Sequence, residues 1–436
     1  MEFRAVRGMK DILPEQAVRW QRLEATIRSV VERYGFGEVR TTVIEATELF
    51  VRQVGEGTDI VEKEMYSFER HGDALTVRPE GTAGVARAYV QHALQAREPV
   101  TRWYYLGPMF RAERPAKGRF RQFYQAGCEH FGDPGPLCDA EMIGMAAEVL
   151  QALGLRDFAV HVSSLGSGDA RARFREALRA HFEPLRAELS ADSQRRLDSN
   201  PLRILDSKDE RDREAIARAP SLLGLLGGED ARHFEDLRRY LGALGIAPVI
   251  DATLVRGLDY YTRTVFELRA TAGELGAQDA LLGGGRYDGM VQGLGGPAVP
   301  AIGFAMGLER ILSLLEEGPP ASGPDCYLAP LCEAGRARAL VLGKELRTAG
   351  LRCELDGRGL SLRAMLRRAN ALGSRLCLLV GEEEIGRAVI TVKDLARHEQ
   401  VEIPWEQAAE TLARRLASSP APAANAARAP GEADEA

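Results

Sequence analysis

Five cations lie within the eleven residues of segment 111–121, RAERPAKGRFR. A Gly-Pro-rich turn between two predicted strands would bring these side chains together. Guanidinium groups bind phosphate through charge-assisted and often bidentate hydrogen bonds. The segment therefore indicates a site for a phosphate-rich ligand. The alternative is a solvent-exposed hairpin tip, which is a common place for a run of charges.

The strand that follows this loop carries Gln125, Gly127 and Glu129 at every second position. Side chains two residues apart project from the same face of a strand. An amide and a carboxylate separated by a glycine leave space for a small polar ligand. The alternative is an ordinary solvent-facing side of the strand.

Three later segments also combine residue types that bind ligands. Segment 254–263, LVRGLDYYTR, places an arginine beside two tyrosines, which suits a stacking or hydrogen-bonding wall. Segment 283–289, GGGRYDG, reads as a glycine-rich turn that lets the backbone approach a ligand. Segment 301–310, AIGFAMGLER, places Arg310 on the first turns of a helix. Each has a structural alternative: an Arg–Asp pair among core aromatics, a plain turn, and a glycine-packed helix with a surface arginine. The GxGxxG, P-loop and HExxH patterns are absent from all three.

These segments need a scaffold, and the hydrophobic spacing predicts one. Apolar residues at helical spacing predict helices, and β-branched or aromatic runs predict strands. The predicted helices cover 15–34, 82–95 and 139–153, and 299–314 runs from a strand into a helix. The predicted strands cover 38–45, two within 65–78, 102–111, 121–131, 158–165, 248–251 and 264–269.

The chain divides by composition. Residues 168–245 are rich in Ala, Leu, Arg and Glu at helical spacing and predict a helical insertion within a core of residues 1–167 and 246–317. The Pro/Gly/Ser stretch 318–324 predicts a linker. Alternating strands and helices over 325–417 predict a small α/β domain with a partly parallel sheet. Residues 418–436 are predicted to be disordered. The fold class is α/β (α+β).

Composition excludes several classes of protein. The 436 residues are 45% hydrophobic and carry a net charge of −6, so disorder does not dominate. No apolar run approaches the roughly 18 residues of a membrane span, and the charged N-terminus has no secretory h-region. Six scattered cysteines predict a reducing, cytoplasmic environment. Only six of the 57 basic residues are lysines, which we attribute mainly to genome composition. The acidic total argues against coating of nucleic acid by bulk charge.

The order of these segments resembles the class II aminoacyl-tRNA synthetases, and the match is closest to the histidyl-tRNA synthetase family. FRAERPAKGRFRQFYQAGCE resembles motif 2 of that class with its loop, and AIGFAMGLERI resembles motif 3. LVRGLDYYTRTVFE and GGGRYDG resemble the two histidine-specific signatures. RGMKDILP, VRPEGTAG and NPLRILDSK resemble further segments of the family. The resemblance runs from about Val6 to Leu416 and implies an antiparallel-sheet catalytic core and a C-terminal anticodon-binding domain.

The resemblance also implies an activity: ATP activates L-histidine to histidyl-adenylate, and the histidyl group passes to the 3′ end of tRNA(His). The implied site residues fall into four groups. The catalytic residues are Arg111 and Arg256; ATP is bound by Arg111, Glu113, Phe123, Arg256 and Arg310; histidine is bound by Glu80, Thr82, Gln125, Glu129, Tyr260 and Tyr261; tRNA is bound by Arg114, Arg119 and Arg363. Mg²⁺ is carried by ATP rather than by a dedicated metal site. A cytoplasmic homodimer is implied, with no membrane or DNA partner.

Two positions depart from the family pattern. Thr42 stands where motif 1 usually has a proline, which affects the expected dimer interface. Ala116 stands where the motif 2 loop usually has a glutamine that is associated with the 5′ guanosine of the tRNA. Ala116 has no side-chain hydrogen-bonding group, so Arg114, Arg119 or the backbone must compensate. The alternative function is a non-catalytic paralogue, the regulatory subunit of ATP phosphoribosyltransferase.

Overall fold

The computed structural model describes residues 3–55, 58, 60–115, 119–255, 258, 260–271, 279–317 and 323–418. The chain separates into two compact units, residues 1–316 and 317–436. The linker residues 318–322 and the predicted tail from residue 419 onward lie outside the described residues. None of the helices in the described ranges combines the length and the apolar content that crossing a bilayer requires.

The first unit contains the larger share of the elements. They are α1 (Pro14–Arg33), β1 (Gly37–Glu38), β2 (Ile44–Ala46), α2 (Thr47–Val54), β3 (Tyr66–Arg70), β4 (Asp73–Val77), α3 (Thr82–Gln91), β5 (Thr101–Phe110), β6 (Gln122–Phe131), α4 (Pro136–Ala152), β7 (Phe158–Ser164), α5 (Gly168–Phe182), α6 (Ala191–Ser199), α7 (Arg213–Ala217), α8 (Gly228–Ala243), β8 (Val249–Ile250), β9 (Thr262–Ala270), β10 (Ala280–Arg286), α9 (Met290–Gly293), β11 (Ala301–Gly307) and α10 (Leu308–Leu312).

A mostly antiparallel sheet forms the centre of this unit. Its strand order is β1-β5-β6-β11-β10-β9-β7-β8, with parallel pairing only at the two edges, β1–β5 and β7–β8. The long hairpin β5–β6 pairs from Thr101 with Phe131 to Phe110 with Gln122. This hairpin is the one predicted around the cationic loop. A separate three-stranded sheet has the order β2-β4-β3.

Helices cover both faces of the large sheet. On one face α1 and α4 pack with the sheet, and α1 contributes Leu23, Ile27, Val30 and Val31, which follow helical spacing. The last helix of the region 168–245, α8, joins this same cluster through Leu237 and neighbouring residues. On the other face, α3 and α5 belong to a second cluster with β5 and β9. Both ends of the predicted insertion therefore pack on the sheet.

The second unit contains β12 (Cys326–Pro330), α11 (Glu333–Thr348), β13 (Cys353–Leu355), α12 (Leu362–Ala371), β14 (Leu376–Val380), α13 (Glu382–Gly386), β15 (Val389–Asp394), β16 (Glu399–Pro404) and α14 (Trp405–Ala417). Its sheet has the order β13-β12-β14-β15-β16. The first three strands are parallel and the last two pair antiparallel. The predicted partly parallel sheet is therefore confirmed, and β16 and α13 were not predicted.

Two predictions about local structure were wrong. The strand predicted over 38–45 is interrupted, because only Gly37–Glu38 and Ile44–Ala46 pair, and they do so in different sheets. The turn predicted over 283–289 begins as a strand, since β10 runs through Gly285 to Arg286. Its glycines fit between two close strands: a Cβ at Gly284 would lie 2.2 Å from the Gly303 carbonyl oxygen, and one at Gly285 would lie 2.5 Å from that of Thr264.

Candidate active site

Glu80 lies directly before helix α3 and caps its first turn. Its carboxylate accepts hydrogen bonds from the backbone N–H groups of Thr82 and Ala83, each at 2.8 Å. The first N–H groups of a helix have no partner within the helix, and a short acidic side chain supplies one. Burial raises the pKa of Glu80, and these two hydrogen bonds partly oppose the rise. A carboxylate is thereby held at the N-terminus of α3.

A second carboxylate, Glu129 on β6, is completely buried. It accepts a hydrogen bond from the Thr82 hydroxyl at 2.7 Å and another from the Tyr287 hydroxyl. Gly303, its partner in register on β11, leaves the space that this side chain occupies, because a Cβ there would lie 1.7 Å from Glu129 Oε2. Burial raises the pKa of Glu129 to about 8, and the nearby charge of Glu80 contributes to the rise.

The space above Gly127, which we predicted to be open for a small polar ligand, is occupied by a side chain. Gly127 pairs with Tyr105 in the β5–β6 register, and a Cβ at Gly127 would lie 2.3 Å from the Tyr105 hydroxyl oxygen. The gap is therefore filled by the Tyr105 ring and not left for a ligand. Tyr105 in turn belongs to the second core cluster, on the same face of the sheet as α3.

The two tyrosines of segment 254–263 form an aromatic wall. The rings of Tyr260 and Tyr261 lie 4.6 Å apart between centroids, and Tyr260 meets Tyr287 edge-on at 5.6 Å. Through Tyr287, this wall reaches the Glu129 carboxylate. Arg256, predicted as a catalytic residue in the same segment, lies outside the described residues.

Cations converge on a cavity of about 210 Å³ that includes Gln125 of β6 in its wall. It is lined by Arg111, Glu113, Arg119, Phe123, Gln125 and Arg310 together with parts of β10 and β11. The structure thus brings the predicted ATP residues other than Arg256 into one cavity, and Gln125 joins this cavity to the strand that carries Glu129.

Arg111 is held from three sides. Its Nε donates to the Pro79 carbonyl oxygen at 2.9 Å, its guanidinium lies 5.2 Å from the centre of the Phe123 ring, and Nη1 lies 3.6 Å from the Glu113 carboxylate. The positive charge of Arg111 also lowers the pKa of buried Glu80 and so opposes part of the rise that burial causes. Arg310, in α10, donates to the carbonyl oxygen of Ala280.

A second cavity of about 250 Å³ shares Arg111, Glu113 and Arg119 with the first. Its remaining wall includes Arg196 and Arg203, which belong to the helical region 168–245. Glu113 is bridged to Arg119 at 3.2 Å where the two cavities meet. The helical region therefore reaches the cations of the β5–β6 loop.

The predicted tRNA residues occupy separate places. Arg114 is an exposed residue of the cationic segment 111–121, and Arg119 of the same segment forms an ion pair with Glu113. Arg363 is exposed on α12 of the second unit. Ala116 lies outside the described residues.

Tyr287 is not among the predicted site residues, although it lies in the GGGRYDG segment. In the structure, Arg286 is fully buried and lies 2.6 Å from the Asp139 carboxylate, and it also donates to the carbonyl oxygens of Asp133 and Gly135 at 2.9 Å. These contacts hold the end of β10, from which the Tyr287 hydroxyl reaches Glu129. In the sequence, the position of a tyrosine directly after the glycine-rich segment 283–285 was the one feature that could have indicated the contact of Tyr287 with Glu129.

The geometry favours one kind of ligand. Two buried carboxylates at one end can accept N–H groups, and a cavity lined by arginines and Phe123 at the other can hold phosphates and a flat ring. In the part of the chain that the structure describes, no three His, Cys, Asp or Glu side chains are grouped as they would be to hold a metal ion.

Comparison with known proteins gives consistent matches along the chain. The sequence model of the family described as "Histidyl-tRNA synthetase" matches residues 8–311, and that described as "Anticodon binding domain" matches residues 325–415. A histidine–tRNA ligase of Sorangium cellulosum is 64% identical over 420 residues, which are 96% of this chain and 98% of that protein. The corresponding protein of Geobacillus kaustophilus is 47% identical over 423 residues, 95% of this chain and 99% of its own.

Among solved structures, apo histidyl-tRNA synthetase of S. aureus superposes with a TM-score of 0.80 at 33% sequence identity, covering 94% of this chain and 100% of that one. This similarity and the match to the anticodon-binding domain confirm the predicted fold class, an antiparallel-sheet core with a C-terminal α/β domain.

Proposed function

Because the chain belongs to the histidyl-tRNA synthetase family, we propose that it is a histidine–tRNA ligase, which activates L-histidine with ATP and transfers the histidyl group to the 3′ end of tRNA(His) for translation. The observation that carries the proposal is buried Glu129, which Thr82 and Tyr287 hold on the same strand from which Gln125 lines an arginine-rich cavity. The identity of 64% over nearly the whole chain favours this activity over the regulatory paralogue.

The first step needs positive charge more than it needs an acid or a base. A carboxylate oxygen of histidine attacks the α-phosphorus of ATP, the bond from phosphorus to the bridging oxygen breaks, and pyrophosphate leaves. Both reactants are anions, so Arg111, which lies at the junction of the two cavities, stabilises the charge that builds on the phosphate. By family resemblance, Arg256 is the second such arginine.

The second step transfers the histidyl group. A ribose hydroxyl of the terminal adenosine of tRNA(His) attacks the carbonyl carbon of the adenylate, AMP leaves, and the hydroxyl proton is released to solvent. The second cavity supports this step, since it joins Arg111 to the helical region around Arg203. We propose that this region, residues 168–245, touches the acceptor arm as an insertion domain.

Recognition of histidine is assigned to the buried carboxylates and their neighbours. Glu129 accepts an imidazole N–H, with Tyr260 and Tyr261 at the ring. Glu80 and Thr82, with Gln125, hold the α-ammonium and α-carboxylate groups. The side-chain amide oxygen of Gln125 (Oε1) supports this assignment, because it is buried and has no hydrogen-bond partner among the described residues. A ligand ammonium group would supply one.

ATP is assigned to the cavity of about 210 Å³. Phe123 stacks on the adenine, Glu113 lies at its amino group, and Arg310 holds the γ-phosphate. Mg²⁺ enters with ATP as part of the substrate, and the Glu309 carboxylate that lines the cavity is a ligand of the type that Mg²⁺ prefers.

The remaining assignments concern the domains and the tRNA. Residues 1–167 and 246–317 form the catalytic core in this proposal, and residues 325–417 bind the anticodon. Arg114 and Arg119 contact the acceptor end in place of the family glutamine that Ala116 replaces. Arg363 contacts phosphates of the anticodon arm. Only the family model for 325–415 and the exposure of these arginines support these roles.

We further propose a cytoplasmic homodimer without a membrane or DNA partner. Support for the dimer comes from exposed apolar residues of the segment around β2 and from β3, namely Val43, Ile44 and Phe68. Thr42, at the departure from the family pattern, donates to Glu45 at 2.6 Å and so retains a defined local structure. Sedimentation at micromolar concentration tests the dimer.

The activity is tested by ATP–pyrophosphate exchange, which must require histidine, followed by charging of a tRNA(His) transcript. Glu129→Ala is expected to raise the KM for histidine strongly, because the imidazole loses its acceptor. Glu316→Ala, which removes an exposed carboxylate outside residues 168–245, is the matched control. Absence of histidine-dependent exchange in the unaltered protein would refute the proposal. Stimulation of ATP phosphoribosyltransferase in that case would favour the regulatory paralogue.

A further inference from the structure

Two of the six cysteines face each other at the start of adjacent parallel strands in the second unit. Cys326 on β12 pairs in register with Cys353 on β13. Both pack into the same core cluster, and their thiols are hydrogen-bonded to each other. Neighbouring strands lie roughly 4.8 Å apart, and disulfides bridge Cα atoms that are about 4.4–6.8 Å apart. The spacing of adjacent strands therefore falls within the Cα range that a disulfide bridges.

The two thiols differ in accessibility. Cys326 is completely buried, whereas Cys353 is half-buried on β13, the edge strand of the sheet. Arg347 is fixed next to Cys353 because its Nη2 donates to the Cys353 carbonyl oxygen at 2.9 Å. Cys353 is therefore the more accessible residue of the pair, and Cys326 is the more protected one.

The thiols also differ in acidity. The hydrogen bond with Cys326 lowers the pKa of Cys353, and the charge of Arg347 contributes in the same direction. The pKa of Cys326 is raised well above its usual value by that hydrogen bond and by burial. Since the thiolate is the reactive form of cysteine, Cys353 is the nucleophile and Cys326 is the resolving thiol, which reacts second.

The other four cysteines lack this arrangement. Cys128, Cys138 and Cys377 are buried, and burial raises the pKa of each thiol. The Cys332 sulfur accepts a hydrogen bond from the Gly335 backbone at 3.3 Å and caps α11. A buried cysteine usually acts only as a small apolar residue, which describes Cys128 and Cys377. The Cys138 thiol is hydrogen-bonded to His130 Nδ1 at 2.7 Å. Cys326 and Cys353 differ from these residues because they face each other, and because Cys353 is only half-buried and lies next to Arg347.

We propose that Cys326 and Cys353 form a reversible redox pair that hydrogen peroxide oxidises to an intramolecular disulfide. The Cys353 thiolate attacks one peroxide oxygen, the O–O bond breaks, and hydroxide leaves to become water with the proton that the thiol had released. The product is a sulfenic acid on Cys353. The Cys326 sulfur then attacks the Cys353 sulfur, the S–O bond breaks, and the departing hydroxide takes the Cys326 proton. In sum, two thiols lose two electrons and two protons, and one peroxide becomes two waters.

The test uses the full-length protein and does not depend on the proposed function. The protein is treated with hydrogen peroxide, its remaining thiols are blocked with N-ethylmaleimide without reductant, and its peptides are analysed by mass spectrometry. We expect a cross-linked pair of peptides containing Cys326 and Cys353, two hydrogens lighter than the separate thiols. Dithiothreitol should restore both thiols.

Three variants assign the steps. Cys326→Ala should leave a sulfenic acid on Cys353 that dimedone traps, and Cys353→Ser should abolish the cross-link. Cys377→Ala, which changes another buried thiol of the same sheet, should leave the cross-link at the level of the unaltered protein. Circular dichroism establishes that each variant is folded, and the unaltered protein provides the result even if a variant is not.

The proposal is overturned if peroxide converts Cys353 to a sulfinic acid while Cys326 stays reduced. It is equally overturned if both thiols stay reduced, or if the cross-link joins two chains or uses Cys332. These outcomes are distinguished in the same peptide map, with non-reducing electrophoresis separating bonds within one chain from bonds between chains.

Discussion

Glu129→Gln should change how the stability of the first unit depends on pH. The native pKa of Glu129 is about 8, raised from an ordinary value of 4.5 mainly by burial. Between these values the native protein holds a proton that the unfolded chain has lost. The contribution of Glu129 to stability is therefore greatest below pH 4.5 and falls as pH rises toward 8, by about 1.4 kcal/mol per pH unit.

The magnitude follows from that slope. From pH 5.5 to 7.5 the unaltered protein should lose about 3 kcal/mol of unfolding free energy through Glu129 alone. Glutamine keeps the shape and cannot ionise, so the variant lacks this loss. The unfolding free energy of the variant minus that of the unaltered protein should therefore rise by about 3 kcal/mol over the same range, and level off above pH 8.

Urea unfolding at several pH values measures this difference. Trp20 and Trp103 lie in the first unit and Trp405 in the second. A Trp405→Phe background therefore restricts the fluorescence signal to the first unit. Glu188→Gln, which removes an exposed carboxylate, is the control and should give a flat difference. A flat difference for Glu129→Gln as well would refute the reasoning, because it would mean that Glu129 is already ionised at pH 5.5.

Three further predictions test the site. Arg111→Ala should lower kcat for pyrophosphate exchange by about 100-fold or more, since the α-phosphate loses a preorganised cation, with little change in urea midpoint. Tyr287→Phe should raise the KM for histidine about tenfold, with a smaller effect on kcat, because Glu129 loses a donor that fixes its carboxylate. Asp139→Asn should lower the unfolding free energy by about 2–3 kcal/mol, because buried Arg286 loses the shorter of its two ion pairs among the described residues and keeps only Asp288 at 3.2 Å.

Each of these has a contrary result. Exchange within threefold of the unaltered rate would remove Arg111 from the reaction. A kcat loss at constant KM for Tyr287→Phe would show that its hydroxyl serves the reacting atoms and not the histidine site. If the unfolding free energy of Asp139→Asn stays within about 1 kcal/mol of that of the unaltered protein, the remaining acceptors of Arg286, such as the carbonyl groups of Asp133 and Gly135, are sufficient without Asp139.

Elements defined by local patterns were predictable from the sequence. Helix α1 follows its apolar spacing after Pro14, and the β3–β4 turn uses His71 and Gly72, both with positive φ values of 55° and 88°. The strands β5 and β6 follow from their aromatic residues. In each case the residues that determine the element lie within it or next to it in sequence.

Features that depend on distant residues were missed. The glycines of β10 resemble a turn locally, but the neighbouring strands β9 and β11 leave no room for a Cβ at Gly284 or Gly285. The gap over Gly127 is filled by Tyr105, which is set by the β5–β6 register. The hydrogen bond from Tyr287 to Glu129 joins residues 158 positions apart. No local pattern contains such information.

The two buried carboxylates explain why the site should prefer histidine over other amino acids. In the proposed assignment, every amino acid brings an ammonium group to Glu80, but an imidazole also brings a ring N–H to Glu129. A side chain without such a donor would fill the pocket without offering a hydrogen bond to the buried Glu129 carboxyl group. Because an unsatisfied buried polar group costs about 1–3 kcal/mol and a charged one more, the selectivity comes from the penalty on wrong ligands as much as from contacts with the right one.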